Sequence, residues 1–112
     1  MEAEFAKLFT NAYRYITFAI SNQFYMMAES TEGVDFYRVL EALKSGYERA
    51  QGLPRAGFAA GPCLLKDTMQ LAAASGNQFL LGHGAMLVNE GIALFLIDQL
   101  EKQCSPVQPL AK

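Results

Sequence analysis

The stretch EAEFAKLFTNAYRYITFAISNQFYMMAES, Glu2 to Ser30, sets apolar side chains at three- and four-residue steps: Phe5, Leu8, Phe9, Ala12, Ile16, Ala19, Ile20, Phe24 and Met27. That spacing is the period of an α-helix. Tyr15, Phe18 and Tyr25 add apolar surface on its other sides, so more than one neighbour is needed to bury it. The polar stripe is narrow: Lys7, Asn11, Arg14 and Asn22.

The segments that follow read as helices of unequal length. Asp35 caps a second helix carrying Phe36, Val39, Leu40 and Leu43, which ends near Gly46. From about Gln51 to Pro62, glycines and prolines mark a functional loop. A short helix is predicted from Lys66 or Asp67 to Ser75, with Gly76 as its stop. A long final helix runs from about Gln78 to Gln103 on Leu81, Ala85, Val88, Ile92, Phe95, Leu96 and Leu100, and Pro106 and Pro109 end it. The predicted class is all-α, with a long N-terminal helix, short helices and a long C-terminal helix. Residues 1–104 form one domain and 105–112 a connector.

Composition narrows the partners. A chain of 112 residues supports a single core. A net charge of −2 offers no basic face for phosphates, which argues against nucleic acid. The first residues lack the basic start and apolar run of a signal peptide. The most apolar segment, Ala85 to Ile97, contains Asn89 and Glu90 and is read as too short to span a bilayer. Cys63 and Cys104 are the two thiols, far apart, so no disulfide framework is implied and a cytoplasmic setting fits best. His83, the one histidine, cannot make a metal site alone and reads as structural. Asn89 is expected to hydrogen-bond between helices.

Chemistry concentrates in Gly57-Phe58-Ala59-Ala60-Gly61-Pro62-Cys63-Leu64-Leu65-Lys66-Asp67. A thiol at the end of a small-residue loop and ahead of a helix is accessible, and helix N–H groups with Lys66 favour its charged form. Asp67, four residues on, can position or deprotonate a water beside that sulfur. It also forms a capping box with Gln70, and both roles can hold. Lys7 and Asn11 lie one turn apart on one helix face. An ammonium and an amide in one pocket suit an oxyanion on a tetrahedral carbon. Taken singly, Cys63 reads better as a small buried apolar residue, and Lys7 with Asn11 by default as a solvated stripe.

Together these residues carry a resemblance. Ala3-Glu4-Phe5-Ala6-Lys7-Leu8-Phe9-Thr10-Asn11-Ala12-Tyr13 resembles the glutamate–lysine–asparagine helix of the UDP-glucose/GDP-mannose dehydrogenase family, in its central domain. Gly61-Pro62-Cys63-Leu64-Leu65-Lys66-Asp67 resembles that family's catalytic cysteine loop. The resemblance implies a fold like the C-terminal domain of 6-phosphogluconate dehydrogenase and a homodimer built on the first helix. It also implies that this is a middle domain, entered from an NAD-binding domain and leading through 105–112 into a nucleotide-sugar-binding one. No glycine-rich dinucleotide fingerprint occurs here, so the chain alone is expected to be inactive.

The family oxidises a primary alcohol of a nucleotide sugar to a carboxylate with two NAD and no metal, through a cysteine thiohemiacetal and thioester. By resemblance Cys63 is the nucleophile, Lys7 and Asn11 hold the oxyanion, and Asp67 activates the hydrolytic water. The substrate would touch Lys7, Leu8 and Asn11 from the helix, and Arg55, Gly57, Phe58 and Gly61 from the loop. Arg49 matches an arginine given across the dimer, and Cys63 with Lys66 would face the cofactor. Ala59, Ala60 and Pro62 depart from the family's loop, and the proline removes one N–H a substrate oxygen could use. Two other classes stand beside the enzyme: a purely structural dimerisation module, and a small helical binding protein without catalysis. Selective alkylation of Cys63 over Cys104 separates the enzyme from both.

Overall fold

The computed structural model describes residues 1–57 and 62–104, and only the backbone of 62–63 and 103–104. Four α-helices and one 3₁₀ turn make up the described residues: α1 (Glu2–Glu29), α2 (Phe36–Lys44), the 3₁₀ turn Glu48–Ala50, α3 (Pro62–Ala74) and α4 (Leu80–Cys104). No strand occurs among them, and the long first and last helices stand as read from the sequence. Local chemistry sets the boundaries. The Asp35 carboxylate accepts from the Tyr37 N–H at 3.1 Å and caps α2. Beyond α3, Gly76 and Asn77 both take positive φ, 68° and 64°, and turn the chain into α4.

The third helix begins a turn earlier than read from the sequence, at Pro62 instead of Lys66 or Asp67. A proline is well suited to the first helical position, where its missing N–H has no partner to lose. Asp67 therefore lies in the second turn, and the capping box with Gln70 does not form. The carboxylate is engaged across the fold instead.

α1 is the axis on which the others are laid. α3 runs back along it: Leu64 packs beside Tyr15, Asp67 reaches Asn11, and Leu71 shares a cleft with Phe5. α4 runs in the same direction as α1, with Ala85 against Tyr15 and Ala19, Asn89 on Asn22, and the Phe95 ring 5.9 Å from that of Tyr25. α2 closes the far end through Phe36, edge-on to Tyr25 at 5.6 Å. Of the described glycines, Gly82 on α4 makes the closest approach to a neighbour: an added Cβ would sit 2.9 Å from the Thr68 methyl on α3.

The outer faces differ from expectation in two ways. Leu81 and Leu100, assigned to the buried face of α4, are 70% and 60% exposed, while Ala85, Asn89 and Ile92 are buried. α4 is apolar on most sides, so periodicity could not say which side meets α1. The apolar part of that helix is also longer than Ala85 to Ile97: Leu80–Lys102, 23 residues, is long and apolar enough to cross a membrane by length and composition. The length argument against a membrane span therefore falls. What ties α4 to the domain is its buried side, with Asn89 hydrogen-bonded to α1.

Candidate active site

Asn11 and Asp67 meet at the middle of the α1–α3 contact. The Asn11 Nδ2 donates to Asp67 Oδ2 at 2.7 Å, joining residues 56 apart in the chain. Asp67 is 6% exposed, and its other carboxylate oxygen stays available as an acceptor. The bond turns the amide nitrogen of Asn11 inward, and its second N–H is left for another acceptor. Lys7 and Leu8 lie one turn earlier on α1, and together with Lys66, Asp67 and Gln70 they line a cleft of about 470 Å³. Three of the proposed polar groups, Lys7, Asn11 and Asp67, are thus brought together, with Lys66 on the same cleft wall. Cys63 holds the second position of α3, one turn before Asp67; its side chain lies outside the described residues, as do Phe58 and Gly61.

The loop residues gather elsewhere. Arg55 is exposed and lays its guanidinium over the Tyr37 ring, 4.2 Å from the centroid. Arg49 is exposed on the 3₁₀ turn. Gly57, at φ 153°, donates its N–H to Asn22 Oδ1 at 2.7 Å. Asn22 lies fifteen residues beyond Lys7 on α1, roughly 22 Å along the axis at 1.5 Å per residue. Within this chain, Arg49 and Arg55 are therefore not placed beside Lys7.

Two polar residues matter more than their sequence positions suggested. Asn22, read as part of the narrow polar stripe, is fully buried: its Nδ2 donates to Asn89 Oδ1 at 2.8 Å, and Asn89 Nδ2 donates to the Tyr15 carbonyl at 3.0 Å. Beside it, the Ser21 hydroxyl donates to the Pro54 carbonyl at 2.6 Å. The signal was present as two adjacent polar residues in a helix otherwise apolar on that side. Asn89 bridges helices, as expected. Tyr15 is 1% exposed, and burial, then the nearby Glu90 carboxylate, push its phenol above the ordinary value of 10. The Asn89 amide is engaged by Asn22 and the Tyr15 carbonyl, and Tyr15 Oη is left without a hydrogen bond.

This arrangement can be set against known families. Residues 1–90 match the UDP-glucose/GDP-mannose dehydrogenase family, central domain. The chain belongs to this family. No curated protein and no solved structure matches it. Family membership places this dehydrogenase domain among nucleotide-sugar dehydrogenases, a class of oxidoreductases. The match takes in all of α1, α2 and α3 and the part of α4 that carries Asn89.

Proposed function

We infer that this chain is the catalytic-cysteine and dimerisation domain of an NAD-dependent nucleotide-sugar dehydrogenase, oxidising the sugar C6 alcohol to a carboxylate. The observation that carries the reading is the hydrogen bond from Asn11 to Asp67, a carboxylate that lines one cleft with Lys7 and Lys66 and lies one helical turn from Cys63. Two segments far apart in sequence supply a donor pair for an oxyanion and a carboxylate for a water at one place. That convergence is more than a solvated helix stripe would produce.

On this reading, the Cys63 thiolate adds to the carbon of a sugar aldehyde and makes it tetrahedral. The former carbonyl oxygen takes the negative charge and is held by the Lys7 ammonium and the free N–H of Asn11. A bound NAD would supply the hydride acceptor, once for the alcohol that gives the aldehyde and once for this tetrahedral carbon, whose loss of hydride leaves a thioester on Cys63. The described residues contain no strand and no strand-to-helix glycine turn to hold a dinucleotide; by the family resemblance, Lys66 and Cys63 are the residues of this chain that would face it. Asp67 then takes a proton from the attacking water, Lys7 stands in the same cleft to share it, and the thiolate leaves as the carboxylic acid forms. The substrate is a UDP- or GDP-linked sugar, and a cytoplasmic setting keeps the thiol reduced.

The exposed face of α1 supports a homodimer. Phe5, Phe9, Tyr13, Ile20, Phe24 and Met27 are 40% to 69% exposed. All but Met27 border two adjoining apolar clefts of about 590 and 500 Å³ that share Ile16. A two-fold pairing of this face would cover it on both copies.

The reaction is tested by mapping iodoacetamide adducts at pH 7. Cys63 is expected to react at least about tenfold faster than Cys104, as a thiolate-biased thiol should; equal rates refute the nucleophile. In a dehydrogenase bearing the nucleotide-binding domains, Asp67→Asn should let a Cys63 adduct with the sugar accumulate. Steady turnover without that adduct removes Asp67 from the hydrolysis step.

A further inference from the structure

We propose that Asn22 is a positioning residue: its buried amide fixes the end of the 51–57 loop, and thereby the approach to Cys63, from the α1–α4 contact. That role for the loop rests on the dehydrogenase reading above; the hydrogen-bond geometry does not.

The amide chain has only one workable direction. The Gly57 N–H can only donate, so the group facing it at 2.7 Å must be the Asn22 oxygen. The Asn22 nitrogen then faces Asn89 and donates to its Oδ1 at 2.8 Å. The Asn89 nitrogen in turn meets the Tyr15 carbonyl at 3.0 Å, a group that can only accept. A backbone donor at one end and a backbone acceptor at the other fix both side-chain amides. Reversing either one would place two donors or two acceptors face to face in a buried site, where an unmade hydrogen bond is costly.

The loop is held at two points by adjacent residues of one helix. Ser21 takes the Pro54 carbonyl and Asn22 the Gly57 N–H, and both side chains are fully buried. Gly57 sits at φ 153°, a conformation side chains rarely allow, so the bond defines an unusual backbone turn. Five residues later α3 begins, with Cys63 in its first turn. Gly57 lies six residues before Cys63, so the clamp sets the point from which the chain leaves for α3. Asn22 touches neither the Lys7–Asp67 cleft nor, on this geometry, any reacting atom; it acts through the loop.

The test separates the clamp from general stability. Asn22→Ala removes the acceptor for Gly57. Asn89→Ala breaks the same helix contact but leaves Asn22 Oδ1 on the loop. In Asn22→Ala, amide hydrogen exchange at Gly57 should rise about five- to tenfold, the factor one such hydrogen bond supports, and Cys63 alkylation at pH 7 should change several-fold. In Asn89→Ala both should stay within about twofold while the melting temperature falls. Equal loosening of Gly57 in the two variants, or an unchanged Gly57 in Asn22→Ala, overturns the assignment. Should Asn22→Ala fail to fold, Ser21→Ala decides: it should shift Cys63 alkylation in a folded chain, and an unchanged rate overturns the clamp. If Cys63 of the native chain reacts no faster than a free thiol, the dehydrogenase reading fails, and Gly57 exchange still decides the clamp.

Discussion

Removing the hydroxyl of Tyr15 should make this domain more stable. Tyr15 is 1% exposed, in a cluster with Ala19, Leu64 and Ala85, and its Oη has no hydrogen-bond partner. A hydroxyl taken from water without a partner costs roughly 1–3 kcal/mol in proteins. Tyr15→Phe removes that cost and breaks no hydrogen bond, because the Asn89 contact is to the Tyr15 backbone carbonyl. Against it stands the void left by one oxygen, smaller than the ~30 Å³ of a water. At about 24 cal/mol per Å³ that void costs at most about 0.7 kcal/mol. The net gain is about 1 kcal/mol, worth roughly 4 °C in melting temperature for a domain of this size. Urea unfolding followed by circular dichroism measures it. A loss exceeding about 1 kcal/mol would show that Oη is hydrogen-bonded in solution. pH supplies a second check. The folded phenol titrates above its unfolded value of 10, so the unfolded chain releases its proton first. The stability of the native chain is therefore undiminished by this group below pH 10 and falls as pH climbs towards the folded value, so the advantage of Tyr15→Phe widens there. Tyr15→Phe should flatten that alkaline decline, and identical decline in both chains refutes the cause.

Two neighbouring glycines of α4 should respond in opposite directions. Gly82→Ala would push a methyl to 2.9 Å from the Thr68 methyl and 2.7 Å from the Phe79 ring. Thr68 cannot retreat easily, being fully buried and bonded to the Leu64 carbonyl, so overpacking of about 1–3 kcal/mol outweighs a helix-propensity gain of about 1. Gly84→Ala meets open space and should gain about 0.5–1 kcal/mol; urea midpoints of the two variants decide. Phe9→Glu, at a site 58% exposed in the single chain, should leave the fold intact and weaken self-association at least about tenfold in sedimentation velocity. A native chain that is monomeric at micromolar concentration removes the dimer. Finally, Asp35→Ala should cost about 1 kcal/mol, seen as faster amide exchange confined to α2.

What the sequence determined by itself is what neighbours along the chain can settle. The 3.6-residue period makes α1 a helix, Asp35 caps α2, and Gly76 stops α3, because each depends on residues within a turn or two. The family was legible too, since the Lys7–Asn11 and Cys63–Asp67 spacings are each local to one helix. The tertiary structure decided which side of each helix is covered. Periodicity gives a residue's angle on its own helix but not what stands opposite. Leu81 and Ala85 both fit an apolar face of α4, and packing buries only Ala85. Asn22 read only as part of a narrow polar stripe, yet Asn89, 67 residues away, makes its full burial tolerable. Asp67 looked like a cap until Pro62 opened α3 a turn earlier and left the carboxylate facing Asn11. In each case a polar group's role depended on a partner that only folding brings within hydrogen-bond range.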